Sequence, residues 1–205
     1  RFTRLAAEHK APRFLRFLRV VTGPHARPIP RAQFNVIQAL SENADAQLLF
    51  NEAAGVAERQ RLIEANDLET NPRGELAYHV ELISLIARCS EGVVPGPEAI
   101  VRSMLSMNDL MLHLTQDDLP IALRHNYLLV FNEAYLIAKR PMDKSPELIE
   151  LIHLLATRVE SFVTDTLPGL DAEALNDQKE KELALYIVHS VMKSIALYLE
   201  KQYAP

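Results

Sequence analysis

Tyr78-His79-Val80-Glu81-Leu82-Ile83-Ser84-Leu85-Ile86-Ala87-Arg88-Cys89-Ser90-Glu91-Gly92 is the stretch whose reading decides the fold. A second run, Leu119-Pro120-Ile121-Ala122-Leu123-Arg124-His125-Asn126-Tyr127-Leu128-Leu129-Val130-Phe131, repeats its character and continues to Tyr135. In both, apolar side chains fall on nearly every face of a 3.6-residue helix, not on one stripe. Such helices must be covered by neighbouring helices on several sides. No segment shows the period-2 alternation with Val/Ile/Thr enrichment that marks a strand ladder. The sequence predicts an all-α protein.

Working outward, proline and capping residues punctuate the chain. Pro12 precedes an amphipathic helix over Phe14 to Val21, stopped by Gly23-Pro24. Pro28 and Pro30 open the next helix, Arg31 to Leu40. From Ala44 to Asn66 the apolar positions are sparse and Gly55 sits mid-run, which predicts a broken or partly exposed helix. Asn71 with Pro72 after it reads as the N-cap of the helix ending at Gly92. Pro95-Gly96-Pro97 is a turn; helices follow over Glu98–Ser106 and over Asn108–Thr115, the latter capped by Asn108. Asp118 and Pro120 begin a helix through Ala138, and Ser145 and Pro146 one to Thr166. After Leu167-Pro168-Gly169, Asp171 caps a last helix reaching Gln202. Two architectures fit this inventory: an armadillo/HEAT-like helical-repeat stack, or a closed multi-helix bundle. The all-round apolar helices favour the stack. Its first and last helices would then keep apolar surface, with Phe14, Phe17, Leu197 and Tyr198 partly exposed.

The 205 residues suffice for one large domain, and the expectation is a single α-helical domain over 1–205 that is part of a larger chain. With 48% hydrophobic and 24% charged residues the balance is that of a globular core. Cys89 is the single cysteine, so no disulfide forms within the chain, and a buried small hydrophobe is its expected role. The longest uncharged apolar-rich run, about Leu183 to Met192, falls short of the ~18 residues that a membrane span requires. No membrane contact is expected of this segment. Charge is uneven. Residues 1–31 carry eight Lys/Arg and one acid, Glu8, whereas the rest carries 14 basic and 26 acidic residues. A basic end on an acidic body invites an acidic protein partner or a neighbouring domain.

Catalytic and cofactor signatures are missing. The six glycines stand in no phosphate-loop or dinucleotide frame, and no HExxH or GxSxG occurs. The seven histidines never fall at i, i+3 or i+4, so one helix cannot offer two of them to a metal. His79 and His189, in apolar helices, read as core or boundary histidines. The acidic run Asp171 to Glu182 lacks the glycine and alternating oxygens of a calcium loop and reads as a solvated helix start. Neither an enzyme, a cofactor nor a metal site is expected. What stands out is Arg13, Arg16 and Arg19, whose i, i+3 spacing makes one stripe. It is the candidate contact with a neighbouring domain or acidic partner. No aromatic shares the face of that stripe for base stacking, so no nucleic acid is expected. A solvent-facing stripe also predicts that Arg16→Glu leaves thermal stability nearly unchanged.

The chain resembles the homology domain shared by ryanodine receptors and inositol trisphosphate receptors (the RIH domain), most of all the second copy in inositol trisphosphate receptors. Phe14-Leu15-x-Phe17-Leu18, Ile29-Pro30 and Gln33 are similar to the family's first helix pair. Tyr78-His79 through Leu82, Leu85-Ile86-Ala87, Cys89 and Glu91-Gly92 match its most distinctive helix. Leu105, Leu119 through Arg124, Tyr127 and Tyr135 look like the helices after it, and Leu148–Val163 and Leu183–Tyr198 follow more loosely. Val94 stands where the family often has Asn, and the loops around 51–72 and 167–178 depart from the pattern. The resemblance implies a non-catalytic, armadillo-like regulatory domain of an intracellular calcium-release channel, on the cytosolic face of the endoplasmic reticulum. It implies that neighbouring domains of the same channel are the partners, that ligand binding is relayed to the pore by rigid-body motion, and that the parent is a homotetramer. The alternative reading is a free-standing helical-repeat protein-interaction scaffold.

Overall fold

α6 (Glu75–Ser90) is the helix around which the others are laid. The structure, a computed structural model, describes residues 2–23, 27–92, 96–116, 118–137, 145–169 and 177–203. Among the described residues there is no strand. In chain order the other helices are α1 (Phe2–His9), α2 (Pro12–Thr22), α3 (Pro30–Ser41), α4 (Ala53–Glu64), α5 (Asp67–Thr70), α7 (Pro97–Met104), α8 (Met107–Leu114), α9 (Ile121–Phe131), α10 (Pro146–Ser161), α11 (Gln178–Tyr186) and α12 (Met192–Tyr203). Three turns of π-helix lengthen the later rods. Asn132–Leu136 prolongs α9, Phe162–Thr166 prolongs α10, and Ile187–Val191 joins α11 to α12 in one rod.

The layering follows from the apolar pattern. α6 lies between α2 on one side and α9 on the other, with α3 and α7 also against it. Eleven residues of α6 are buried, from Leu76 to Ser90, and none of the sixteen in the helix except Glu75 is exposed. Beyond α9 come α8 and α11, and then α10 against α8 and α12. One buried cluster runs from Ala6 through α6 and α9 to Val191, while Phe50, Leu62 and Leu76 make a small second one under α4. The all-α helical stack is therefore the observed architecture.

Polar side chains fix the joints. Gln33 is buried on α3 and donates Nε2 hydrogens to the Arg88 carbonyl at 2.8 Å and the Glu91 carbonyl at 2.9 Å, closing the C-terminal end of α6. The Arg88 guanidinium donates to the Gly23 carbonyl at 2.7 Å. A Cβ at Gly23 would collide with that guanidinium and with the Arg27 carbonyl, so the α2–α3 turn can close only over a glycine. The π turn Asn132–Leu136 leaves carbonyls outside the regular ladder, and two cations take them. Arg102 Nε donates to Ala134 O at 2.7 Å, and Lys201 Nζ to Leu136 O at 2.7 Å.

Several caps differ from expectation. Asn71 does not cap α6; residues 72–74 form a turn, and the helix starts after Gly74, whose extended backbone is the actual cap position. Asn108 is inside α8, which Ser106 caps through a reciprocal box with Asp109 (2.8 and 3.2 Å). A Ser three residues before an acid outcompetes Asn because both orphan ends are satisfied at once. Asp171 lies outside the described residues; the last rod is capped by Asp177, which accepts from Lys179 N at 2.8 Å. Ser145 caps α10 as expected.

The two ends of the stack keep apolar surface. Phe17, Val20 and Val21 are exposed on α2, while Phe14, Leu197 and Tyr198 are half-buried. On the far rod Leu185, Val188, Met192 and Leu199 are exposed, at the three-four spacing of a helix seam. This rod also corrects the expectation that no helix could span a membrane. Continuous from Gln178 to Gln202 and holding an 18-residue stretch of mean hydropathy 1.3, it is long and apolar enough by length and composition. The π turn keeps the helix continuous, as expected of this stretch, and most of the charged residues gather toward its ends. Within the stack the rod packs on α9 and α10 through Tyr186, Ile187 and Val191.

Leu85 is fully buried in α6. Leu85→Ala is expected to cost about 2–5 kcal/mol, whereas Ile149→Ala, at a position 51% exposed, should stay within about 0.5 kcal/mol. Urea unfolding of both variants checks the contrast.

Candidate functional site

The arginine stripe sits where α2 crosses α6, and the structure divides its members. Arg16 Nε donates to Glu81 Oε1 at 2.7 Å. Arg19 Nη1 donates to Ser84 Oγ at 2.7 Å and lies 3.6 Å from Glu81 Oε2. Glu81 and Ser84 are three apart on α6 and so share a face with each other and with the stripe. Arg13 turns away from them, with its guanidinium 5.0 Å from the Phe14 ring centroid. Two of the three arginines thus clamp α2 to α6, and one faces outward. The expectation that Arg16→Glu is neutral for stability does not survive this geometry, because the variant sets a carboxylate against Glu81, whose side chain is only 14% exposed.

A cavity of about 240 Å³ opens next to the outward arginine, lined by Ala11, Pro12, Arg13, Arg16, Pro72 and Arg73. Arg73 belongs to the turn before α6 and was not singled out in the sequence. Its approach to Arg13 depends on that turn being where a helix start was expected.

The second polar constellation is buried and went unseen in the sequence. Arg59 is completely buried on α4. It contacts His113 Nδ1 through Nη1 and Gln116 Oε1 through Nη2, while its Nε has no partner. Among the described residues it forms no ion pair. His113 Nε2–H donates to Asn51 Oδ1 at 3.0 Å. Next to it, His79 Nδ1–H donates to the Leu48 carbonyl at 2.7 Å, and His79 Nε2 accepts from the Tyr127 hydroxyl at 3.0 Å. The His113 and Tyr127 rings stack at 4.5 Å, and Phe50 meets His79 edge-on at 4.9 Å. Each imidazole thus has one donating and one accepting nitrogen, the neutral form. Burial pushes His79 down to about 3, aided by the Arg59 charge, and pushes His113 down likewise. Burial also lowers Arg59 and raises the Tyr127 hydroxyl. The signal for this joint was Val56, Arg59 and Leu62, spaced i, i+3, i+6 on a sparse helix. An arginine at a core-facing position announces a buried cation.

His79 is a satisfied core histidine, whereas His189 is exposed on the outer rod. Cys89 is buried, which raises its thiol well above the ordinary range and removes it as a nucleophile. Among the described residues no group of His, Cys, Asp and Glu could hold a metal ion. Two grooves of about 390 Å³ each flank the outer rod, one with Arg124 and Asp165 on its walls and one with His125 and Glu182. In the second, Ser190 Oγ lies 2.7 Å from His125 Nδ1.

The class defined so far is an all-α helical stack with a basic edge and a buried polar joint. No family model matches the chain. Over 204 residues it is 22% identical to the inositol 1,4,5-trisphosphate receptor itr-1 of Caenorhabditis elegans. The likeness covers 96% of this chain and 7% of that receptor, so the chain spans a small part of the relative it matches. What it is similar to is one region of a receptor.

Two outcomes follow. Stability contributed by the neutral histidines is full above their unfolded value near 6.5 and is lost as pH falls toward about 3 for His79. The unfolded chain binds protons in that window and the folded one does not, at up to about 1.4 kcal/mol per pH unit for each histidine. Thermal melts at pH 7 and pH 5 should show the loss, and His113→Gln should flatten it. Arg16→Glu should lower stability by about 1–3 kcal/mol, and Glu81→Gln in the same chain should recover part of it, as read by urea unfolding.

Proposed function

We propose that this chain is a non-catalytic regulatory unit of an intracellular calcium-release channel, related to the RIH domain and built as an armadillo-like stack. The observation that carries the reading is the likeness to an inositol 1,4,5-trisphosphate receptor along 204 residues. The family resemblance rests separately on residues of α6 and α9. In this reading the chain lies on the cytosolic face of the endoplasmic reticulum, inside a homotetrameric parent. Neighbouring domains of that parent are its partners, and Arg13, Arg16 and Arg19 mark the edge that faces one of them.

The mechanism suits the packing. Close-packed helix interfaces move between discrete arrangements and do not deform smoothly. A unit whose central helix is covered all round shifts as one body. The exposed apolar residues on α2 and on the α11–α12 rod lie on opposite sides of that body, where adjoining helical units would take up and pass on the motion.

The full-length reading frame tests this first: a cluster of membrane-spanning helices downstream is expected, and a parent without one ends the reading. In microsomes carrying that parent, Val20→Asp with Val188→Asp should reduce ligand-evoked calcium release several-fold while the channel still assembles. Unchanged release from the assembled double variant would count against the relay.

A further inference from the structure

We propose that the cavity between the start of α2 and the turn before α6 is a binding site for a phosphate monoester. Its walls are Pro12 and Pro72, whose rings fix the backbone on either side. Its charged lining is Arg13, Arg16 and Arg73, with no acidic residue among the lining side chains. That is unusual on a chain where 26 of 27 acids fall after residue 31, in the same part of the sequence as Arg73. At about 240 Å³ the space admits a phosphoryl group with part of what bears it.

The charge balance selects the ligand class. Glu81 lies outside the cavity and holds Arg16 at 2.7 Å, sharing its second oxygen with Arg19. One of the three lining charges is therefore matched inside the protein, and Arg13 and Arg73 are left without an ion pair among the described residues. A phosphate monoester carries close to two negative charges near neutral pH. It matches that surplus, and its oxygens suit the planar fork of each guanidinium. A single carboxylate would leave one cation unmatched. The first turn of α2 has no acidic residue and no side-chain cap, so the local potential stays positive. The arginines of the cavity carry the argument, and the helix end adds to it.

The site is independent of the channel reading, since it rests on this chain's own side chains. Its test uses the 205-residue chain alone, so either proposal can fail without the other. Isothermal titration at fixed ionic strength would compare inorganic phosphate with a short phosphoserine peptide and its unphosphorylated counterpart. Saturable binding is expected, weakened at least tenfold by Arg13→Gln with Arg73→Gln and unchanged by Arg31→Gln. It should also weaken as pH falls below about 6, where the monoester takes up a proton. Peptide binding more than tenfold tighter than inorganic phosphate assigns the ligand to a phosphorylated segment; comparable affinities assign it to a free phosphate. Circular-dichroism melts of the double variant separate a lost site from a lost fold. No saturation with either probe, or an equal loss from Arg31→Gln, overturns the site in favour of diffuse charge attraction.

Discussion

Covering α6 on every side is the constraint from which the rest of the architecture follows. A helix with eleven buried residues has no side left for solvent. The chain must bring α2, α3, α7 and α9 to it from four separate parts of the sequence. Each of those helices then has its own remaining apolar stripe to bury. The requirement propagates outward to α1 on one side and to α8, α10 and the last rod on the other. Hydrophobic burial of this sort is non-directional, so the directional contacts decide the relative placement. Gln33, Arg88, Arg102 and Lys201 each reach a backbone carbonyl of another helix or turn and hold one angle among the several that packing would allow.

The buried joint of Arg59, His79, His113 and Tyr127 works differently. Burying a cation without a carboxylate is costly, and the cost is kept down by neutral acceptors and a stacked ring. Each imidazole serves as a hydrogen-bond relay with a fixed tautomer, so the joint holds together only while both stay uncharged. It ties α4 and the irregular segment around Leu48 and Asn51 to α6, α8 and α9. Burial of Ala46 and Phe50 seats that segment, and the polar contacts fix its orientation.

Much of the fold was legible because it is written in periodicity and punctuation. The all-round apolar character of Tyr78–Ser90 and Leu119–Phe131 fixes helices that need many neighbours. Prolines at positions 12, 30 and 146 mark helix starts where a missing N–H does no harm. What was not legible depends on partners distant in sequence. Ser106 and Asn108 are both good caps, and only the reach of Asp109 decides between them. Whether Arg16 and Arg19 face solvent or Glu81 depends on how α2 crosses a helix 65 residues away. Arg73 joins Arg13 because a turn occupies residues 72–74. The buried arginine was visible in its spacing with Val56 and Leu62, but His79, His113 and Tyr127 come from three different elements, and no local pattern links them.

The π turn at Ile187–Val191 lets one rod serve two hosts. An extra residue in a helical turn advances the side-chain azimuth by about 100°. Before the bulge, α11 faces α9; beyond it, α12 faces α10 and the end of the α9 rod. A straight rod of the same sequence could satisfy one of these neighbours and would swing its other half off the second. The added residue therefore acts as an angular gear between two docking directions. Loss or gain of a single codon there would misalign half the rod, although every other amino acid in it stayed the same.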